Sequence, residues 1–540
     1  MKIKFIAIIS FIALALVCCT GTRGGIDPTE VKTASGRVRG YIQDSVLVFK
    51  GVPYASAERF LPAHDHAKWD TVMDCTEFGP IAPQVNLRKK SSYNPSDTAI
   101  FMSEDCLNLN IWTSMRNDGG NRPVMVWIHG GGFDNGHSHV NLAADGVKLA
   151  INDNVVLVTL NHRLNVLGHL DLSAYGPEYT GSGNLAMTDI IQALKWIRNN
   201  IAAFGGDPGN VTLFGHGSGG VKVLTLMGMY DAKGLFHKAI VQSGTLNGMT
   251  QPQNSSRRIA ELTMEEAGVK DVDGLRQLSY DSLQHAATRA IERTREEFKR
   301  DPEHLIKFAP VIDGITLKAD LFSDTCISVS LDVPVIIGST FSEYSTYPYI
   351  IGNSANFNHG GLSQAQIDSA LQARYGNNAQ AIREAFTAAY PERPLHELLT
   401  MDTNVRSRVL QMAHMLARRG NAPVYVYLFN WVSPLDNGIA RSFRSSELPF
   451  VFNNYESAEF SRAGGDEARR LARIMSRCWT SFARSGNPNN SITPFWRRIN
   501  SGEGHTMIFG RDIHLVGYPD LELMQLLEPE RTGDIILYNQ

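Results

Sequence analysis

Short apolar runs alternate with helical patterns along the middle of the chain. The runs PVMVWIHG (123–130), NVVLVTLNH (154–162) and NVTLFG (210–215) are rich in valine and bounded by glycine or asparagine, which is typical of buried strands. Residues 189–206 carry apolar side chains at helical spacing and end in glycine, which predicts a helix with a C-cap. This alternation predicts an α/β fold in which helices flank a mostly parallel central sheet.

The N-terminal segment, residues 1–19, has the layout of an export signal. Lys2 and Lys4 precede an apolar run over 5–17, which is shorter than the roughly 20 residues that a membrane-spanning helix needs. Two cysteines follow the run and loosely resemble a bacterial lipoprotein box. Cleavage, lipidation and retention as an anchor stay open. We therefore expect an exported protein, either secreted, periplasmic or lipid-anchored, whose only membrane contact is through this segment.

Composition narrows the classes of partner. The 540 residues include 51 basic and 54 acidic side chains, and this balance gives no reason to expect a nucleic-acid partner. Four cysteines follow the signal, and none has CxxC spacing, so we expect no metal site. Export permits a disulfide, and Cys75 with Cys106 is the first pair to expect because the two close a loop of moderate length. Cys326 and Cys478 lie far apart and are expected to be buried thiols.

Six motifs occur in a fixed order along most of the chain. They are GVPYA near the start, SEDCLNLNIW (103–112), HGGGF (129–133), NIAAFGGDPGNVTLFG (200–215), VIIGSTFSEYS (335–345) and SSELPFVF (445–452). Together they resemble the type-B carboxylesterase and cholinesterase family, with the bacterial para-nitrobenzyl-esterase-like members the most similar. The resemblance implies one α/β-hydrolase domain, placed at 27–535. The helical, polar pattern around 255–300 predicts a lid-like insertion in this domain rather than a separate fold. The resemblance also implies no organic cofactor and no metal, and it again pairs Cys75 with Cys106.

The family's chemistry uses Ser, Glu and His in that chain order, with backbone N–H donors for the developing oxyanion. Its nucleophile elbow reads Gly-x-Ser-x-Gly, whereas this chain reads FGHGSGG at 214–220. Keeping the flanking glycines in register places Gly217 at the nucleophile position and Ser218 one residue later. Glycine adopts the strained elbow backbone at little steric cost, but it has no hydroxyl.

The two remaining triad positions differ in the same comparison. Glu343 matches the family's acid. The base should lie three residues before Glu447, where this chain has Arg444. A guanidinium has a pKa above ~12 and cannot accept a proton near neutral pH. Four histidines lie near these motifs but not on the segment that delivers the base: His129, expected as a packed loop residue, His137 and His139, expected to face solvent, and His216, expected to fill space.

Other parts of the expected pocket match the family. Gly131, Gly132 and the N–H of Ser218 match the oxyanion donors. A salt bridge between Glu343 and Arg444 would fill the former triad. Alternatively, Arg444 and the N–H donors would together hold a carboxylate. Two interpretations apply to four aromatic residues, as apolar walls of the pocket or as core residues: Phe133, Phe341, Tyr344 and Phe443.

The sequence therefore predicts a catalytically impaired pseudoesterase that keeps a pocket for a small ester or carboxylate ligand. An exported ester hydrolase that uses Ser218 in a rearranged site is the alternative, and non-hydrolytic chemistry at the oxyanion hole is a third class. A protein partner also stays open, because neuroligin-like adhesion proteins resemble esterases and carry glycine at the elbow. The sequence does not indicate which ligand the pocket takes.

Overall fold

A computed structural model describes most of the chain between Asp27 and Glu528. The described residues are 27–85, 100–114, 120–139, 145–244, 250–299, 306–320, 323–343, 362–399, 401, 404–438, 441–499 and 504–528. The predicted export signal (1–19) and Tyr344 lie outside them. Within these ranges, no helix is both long and apolar enough to cross a membrane.

The strands in chain order are β1 (Glu30–Lys32), β2 (Arg37–Arg39), β3 (Tyr41–Gln43), β4 (Val46–Pro53), β5 (Ala55–Ser56), β6 (His64–Asp65), β7 (Val72–Asp74), β8 (Asn108–Thr113), β9 (Arg122–Ile128), β10 (Val156–Leu160), β11 (Gly206–His216), β12 (Lys238–Gln242), β13 (Gln251–Pro252), β14 (Val311–Ile312), β15 (Val335–Thr340), β16 (Val424–Phe429), β17 (His505–Phe509) and β18 (Ile513–Gly517).

The helices are α1 (Val147–Asp153), α2 (Asn165–His169), α3 (Leu185–Asn200), α4 (Ser218–Met227), α5 (Gln253–Ala267), α6 (Val272–Gln277), α7 (Tyr280–Glu297), α8 (Asp324–Ile327), α9 (Gln364–Tyr375), α10 (Ala379–Ala389), α11 (Asn404–Arg419), α12 (Leu448–Val451), α13 (Glu459–Arg462), α14 (Gly465–Ser485) and α15 (Leu521–Leu527).

One large sheet organises the fold. Its strand order is β18-β17-β16-β15-β12-β11-β9-β10-β8-β4-β3. The strands from β10 through β9, β11, β12, β15 and β16 to β17 pair in parallel, and the outer pairs are antiparallel. The predicted α/β fold with a mostly parallel central sheet is confirmed.

Alternate side chains of the central strands enter two separate cores, because successive residues of a strand point to opposite faces. In β9, Val124 and Val126 join one apolar cluster, whereas Met125 and Trp127 join another. The apolar stripe of α3 lies in the first cluster and that of α14 in the second. Helices therefore cover both faces, which leaves the carboxyl edge of the parallel strands for the site.

The stretch 255–300, predicted to be a helical insertion, contains most of α5 and all of α6 and α7. These helices share a third apolar cluster with the segment around α2, including Val166 and Leu170. Ser279 caps the start of α7 by accepting the N–H of Ser282, as expected for a serine at this position. The lid-like role of the insertion stays a prediction.

The disulfide predicted between Cys75 and Cys106 is absent from the structure, in which both are free thiols buried in the first core cluster. Burial raises the pKa of Cys75 to about 12, and burial also raises the pKa of Cys106. Both groups are therefore held as unreactive thiols, because the thiolate is the form that exchanges. Cys326 and Cys478 are buried free thiols, as predicted.

Candidate active site

The turn after β11 has the backbone of a sharp strand-to-helix elbow. β11 ends at His216, Gly217 has φ +60° and ψ −125°, and α4 begins at Ser218. The N–H of Gly217 donates to the carbonyl of Gln242 at 2.8 Å, and its own carbonyl accepts the N–H of Val221 at 3.0 Å. This positive φ is costly for a side chain and cheap for glycine. The structure thus places Gly217 at the apex and Ser218 in the first turn of α4.

Glu343 and Arg444 form an ion pair beside this elbow. Arg444 Nη1 donates to Glu343 Oε2 at 2.7 Å. The Glu343 side chain is fully buried, whereas 27% of the Arg444 side chain is exposed. Their segments are joined by a single bridge between Ser342 and Phe443. The predicted salt bridge therefore forms because the chain after β15 pairs locally with the chain around residue 443.

The second oxygen of Glu343 is also satisfied. Glu343 Oε1 accepts the N–H of Thr340 at 2.9 Å and the hydroxyl of Ser243. Ser243 follows β12 and has φ +50°, so it lies at the same edge of the sheet as Gly217. Ser243 was not predicted as a site residue, and its position directly after a buried strand was the available signal. With partners on both oxygens, Glu343 is held as a fixed acceptor.

The guanidinium of Arg444 lies directly over Gly217. A β-carbon built on Gly217 would be 2.7 Å from Arg444 Nη2. The same nitrogen donates to the carbonyl of Ser243 at 3.3 Å. The space that a nucleophilic side chain would need is therefore occupied by a cation that only donates hydrogen bonds.

Ser218 contacts the glycine-rich loop. Its Oγ accepts the N–H of Gly132 at 2.8 Å, and the residue is only 6% exposed. Gly131 and Gly132 are exposed and have φ of +99° and +76°, and a β-carbon on Gly131 would collide with the carbonyl of Asn135. Of the three predicted oxyanion donors, the N–H of Gly132 is thus already paired with the serine hydroxyl.

His216, next to the elbow, faces a buried carboxyl. Its Nε2 lies 3.8 Å from Glu447 Oε1. Burial, and then the charge of Glu343, raise the pKa of Glu447 to about 8, so Glu447 is mostly neutral at neutral pH. Gln242 donates to the same oxygen at 3.3 Å. His216 and Glu447 therefore pack against each other next to the elbow.

The other predicted histidines are packed in the interior. His129 is buried and stacks on His162 with ring centroids 4.8 Å apart, and burial lowers its pKa well below the usual value. The expectation that His137 and His139 face solvent is wrong for His137, which is 2% exposed. His139 is half-buried and stacks on Phe78 at 4.0 Å. These rings were expected outside because loop histidines are usually exposed, but here aromatic stacking covers them.

The aromatic residues considered as pocket walls are core residues. Phe133, Phe341 and Phe443 are each at most 3% exposed. They pack edge-to-face on His169, Tyr390 and Phe460, respectively. These three side chains therefore belong to the core and do not form the walls of a pocket.

Lys222 is a buried cation that the sequence analysis missed. It lies on α4, is 0% exposed and donates from Nζ to the carbonyl of His129 at 3.1 Å. Burial lowers its pKa to about 7, and Asp134 is the opposing charge. The signal was a single lysine within the apolar run VKVLTLM. The residue links α4 to the start of the glycine-rich loop.

Comparison with known proteins identifies the family. The model of the carboxylesterase family matches residues 27–517. The chain belongs to the carboxylesterase family. It is 33% identical to the para-nitrobenzyl esterase of Bacillus subtilis (strain 168), over 93% of this chain and 99% of that protein. It is 30% identical to the phenmedipham hydrolase of Pseudarthrobacter oxydans, over 88% of this chain and 94% of the relative.

Solved carboxylesterases share the architecture. An esterase from Clostridium hathewayi that can hydrolyse aliphatic aromatic polyesters superimposes with a TM-score of 0.84 at 32% identity, and the match covers 93% of this chain and 98% of that one. The α/β-hydrolase fold expected from the motifs is confirmed. The roles of Gly217, Ser218, Glu343 and Arg444 in this carboxylesterase-family chain stay predictions. Among the described residues, no cluster of His, Cys, Asp and Glu is arranged to hold a metal ion.

Proposed function

We propose that this member of the carboxylesterase family is a pseudoesterase, which binds a small ester or carboxylate in the pocket above the elbow and does not turn it over efficiently. The observation that carries the proposal is the Arg444 guanidinium, 2.7 Å from where a β-carbon on Gly217 would lie. That position lacks a nucleophile, and the group facing it cannot act as a base.

The expected loss of hydrolysis is large. In a serine protease, removal of the triad serine or histidine alone costs about a million-fold in kcat, and a residual of about 10³ to 10⁴ over water comes from the oxyanion hole and binding. A second loss adds little, because the triad acts as a unit. We therefore expect ester turnover close to the residual level.

Ligand binding is supported by the hydrogen-bond donors near the elbow. Arg444 is partly exposed and donates hydrogen bonds, and its charge is offset by Glu343 at 2.7 Å. Gly131 is exposed on the adjacent loop. A carbonyl or carboxylate oxygen fits between such donors, because both kinds of oxygen are acceptors.

The rearranged hydrolase would need Ser218 to be activated. Within the described part of the chain, Ser218 Oγ has one hydrogen-bond partner, the N–H of Gly132. No histidine or carboxylate forms a hydrogen bond with it there. Nucleophilic serine needs a base within hydrogen-bond reach, so this arrangement favours the pseudoesterase.

The first test is hydrolysis of p-nitrophenyl acetate together with labelling by a fluorophosphonate. We expect no enzyme-dependent turnover above the residual level and no covalent adduct. An adduct at Ser218, found by peptide mass spectrometry and lost in Ser218→Ala, would establish the rearranged hydrolase instead.

The second test rebuilds the triad. The triple variant Gly217→Ser, Ser218→Ala, Arg444→His restores a nucleophile and a base and frees the N–H of Gly132. We expect it to hydrolyse p-nitrophenyl acetate at least ~100-fold faster than the parent, since general-base catalysis alone contributes about 10² to 10⁴. The matched controls are Gly217→Ser and Arg444→His alone, which should stay inactive. A correctly folded but inactive triple variant would contradict the assigned register.

A further inference from the structure

A second recess lies at the edge of the sheet opposite the elbow. It is a cleft of about 330 Å³, here called the arginine cleft, whose lining includes Tyr425, Phe495, Trp496, Arg497, Arg498 and His505. Tyr425 and His505 lie at the starts of β16 and β17, whereas Gly217 follows the end of β11. Because these strands are parallel, the cleft and the candidate active site lie at opposite edges.

The floor of the arginine cleft is rigid. The side chain of Asn489 holds the backbone of Trp496 on both sides, accepting its N–H at 2.6 Å and donating to its carbonyl at 2.9 Å. The indole of Trp496 packs edge-to-face on Tyr425 and Phe509, with ring centroids 5.8 and 5.5 Å apart. The loop that carries the two arginines is therefore fixed before any ligand arrives, which lowers the entropic cost of binding.

The arginines of the cleft are not neutralised by neighbouring carboxylates. Arg497 and Arg498 are exposed, and their guanidinium groups form no ion pair with the residues that the structure describes. A carboxylate held by both groups would gain charge-assisted hydrogen bonds, which are stronger than neutral ones.

The chemistry of the lining specifies the ligand. None of the described residues in the lining is acidic, so the cleft favours an anion. Phe495 is 70% exposed at its rim and offers a ring face, and a cleft of this size is at the lower end of small-molecule sites. We propose that the arginine cleft binds a small aromatic carboxylate, with the carboxylate on Arg497 and Arg498 and the ring against Phe495. This site is independent of the function proposed for the elbow.

The test is calorimetric titration of the full chain with 2-naphthoate. Because the elbow pocket is also proposed to take carboxylates, the titration is repeated in Arg444→Gln, where we expect the cleft component to persist. In the variant Arg497→Gln, Arg498→Gln on that background, we expect affinity to fall roughly ten-fold or more, the scale of lost charge-assisted hydrogen bonds. Arg198→Gln, at an exposed position on α3, is the matched control and should bind like its parent.

Two further measurements complete the test. Phe495→Ala, at an exposed position that leaves the core untouched, should weaken 2-naphthoate more than formate. The uncharged 2-naphthamide should not bind. The proposal is overturned if no saturable binding persists in Arg444→Gln, if the double arginine variant binds 2-naphthoate as tightly as its parent, or if the amide binds as well as the acid.

Discussion

Removal of the Arg444 charge should lower the free energy of unfolding, because the Glu343 carboxylate would stay buried without its counter-ion. Arg444→Met keeps an extended apolar side chain but leaves Glu343, which is fully buried, without its counter-ion. Breaking a buried ion pair at one partner costs about 3–5 kcal/mol. Because the Arg444 side chain is 27% exposed and Glu343 keeps the N–H of Thr340 and the hydroxyl of Ser243, we expect the lower end, about 3 kcal/mol.

The loss is measured by urea unfolding followed by intrinsic fluorescence, with reversibility checked for each variant.

A double-mutant cycle measures the interaction free energy between Arg444 and Glu343. Adding Glu343→Gln to Arg444→Met replaces the charge by a neutral amide, and we expect recovery to within about 1 kcal/mol of the parent. The reasoning would be refuted by a single-variant loss below about 1 kcal/mol, or by additive effects of the two substitutions.

Two other predictions concern buried titratable groups. Lys222→Met should stabilise the protein at pH 6 and give a smaller gain towards pH 10. The pKa of Lys222 is about 7 in the folded protein and ~10.4 in the unfolded chain. Between these values the unfolded chain binds more protons, so the parent becomes more stable as the pH rises. Urea unfolding at both pH values checks this, and an equal gain at both would contradict it. Cys75 and Cys106 should react with Ellman's reagent only after denaturation, and a reductant should leave Tm unchanged; a fall in Tm on reduction would reveal a disulfide between them.

Much of the fold was predictable because it depends on local pattern. The apolar run at 123–130 became β9. The pattern at 189–206 became α3, which the structure begins earlier, at Leu185, and ends earlier, at Asn200. The glycines around residue 217 carry the elbow backbone with φ of +60°, a conformation that few other residues adopt. Local pattern thus predicted the order of strands and helices along the chain, and the resemblance to the family predicted the register of the turn.

The spacing could not determine which groups each side chain contacts in the folded protein. The sequence suggested a disulfide for Cys75, but packing buries it as a free thiol. It gave no warning that Lys222 would be fully enclosed or that Ser218 would bond the N–H of Gly132. Periodicity reports the face on which a side chain lies, whereas burial and pairing depend on segments that are distant in the chain.

The sequence by itself determined the family and the α/β architecture, and it predicted the loss of a hydroxyl and an imidazole at two positions matched to the family. Only the tertiary structure decided that the Arg444 guanidinium covers Gly217 while Glu343 neutralises it. The physical reason is that a guanidinium is directed by the nearest acceptors, and those acceptors, the Glu343 carboxylate and the Ser243 carbonyl, are brought together at one edge of the sheet only when its parallel strands assemble.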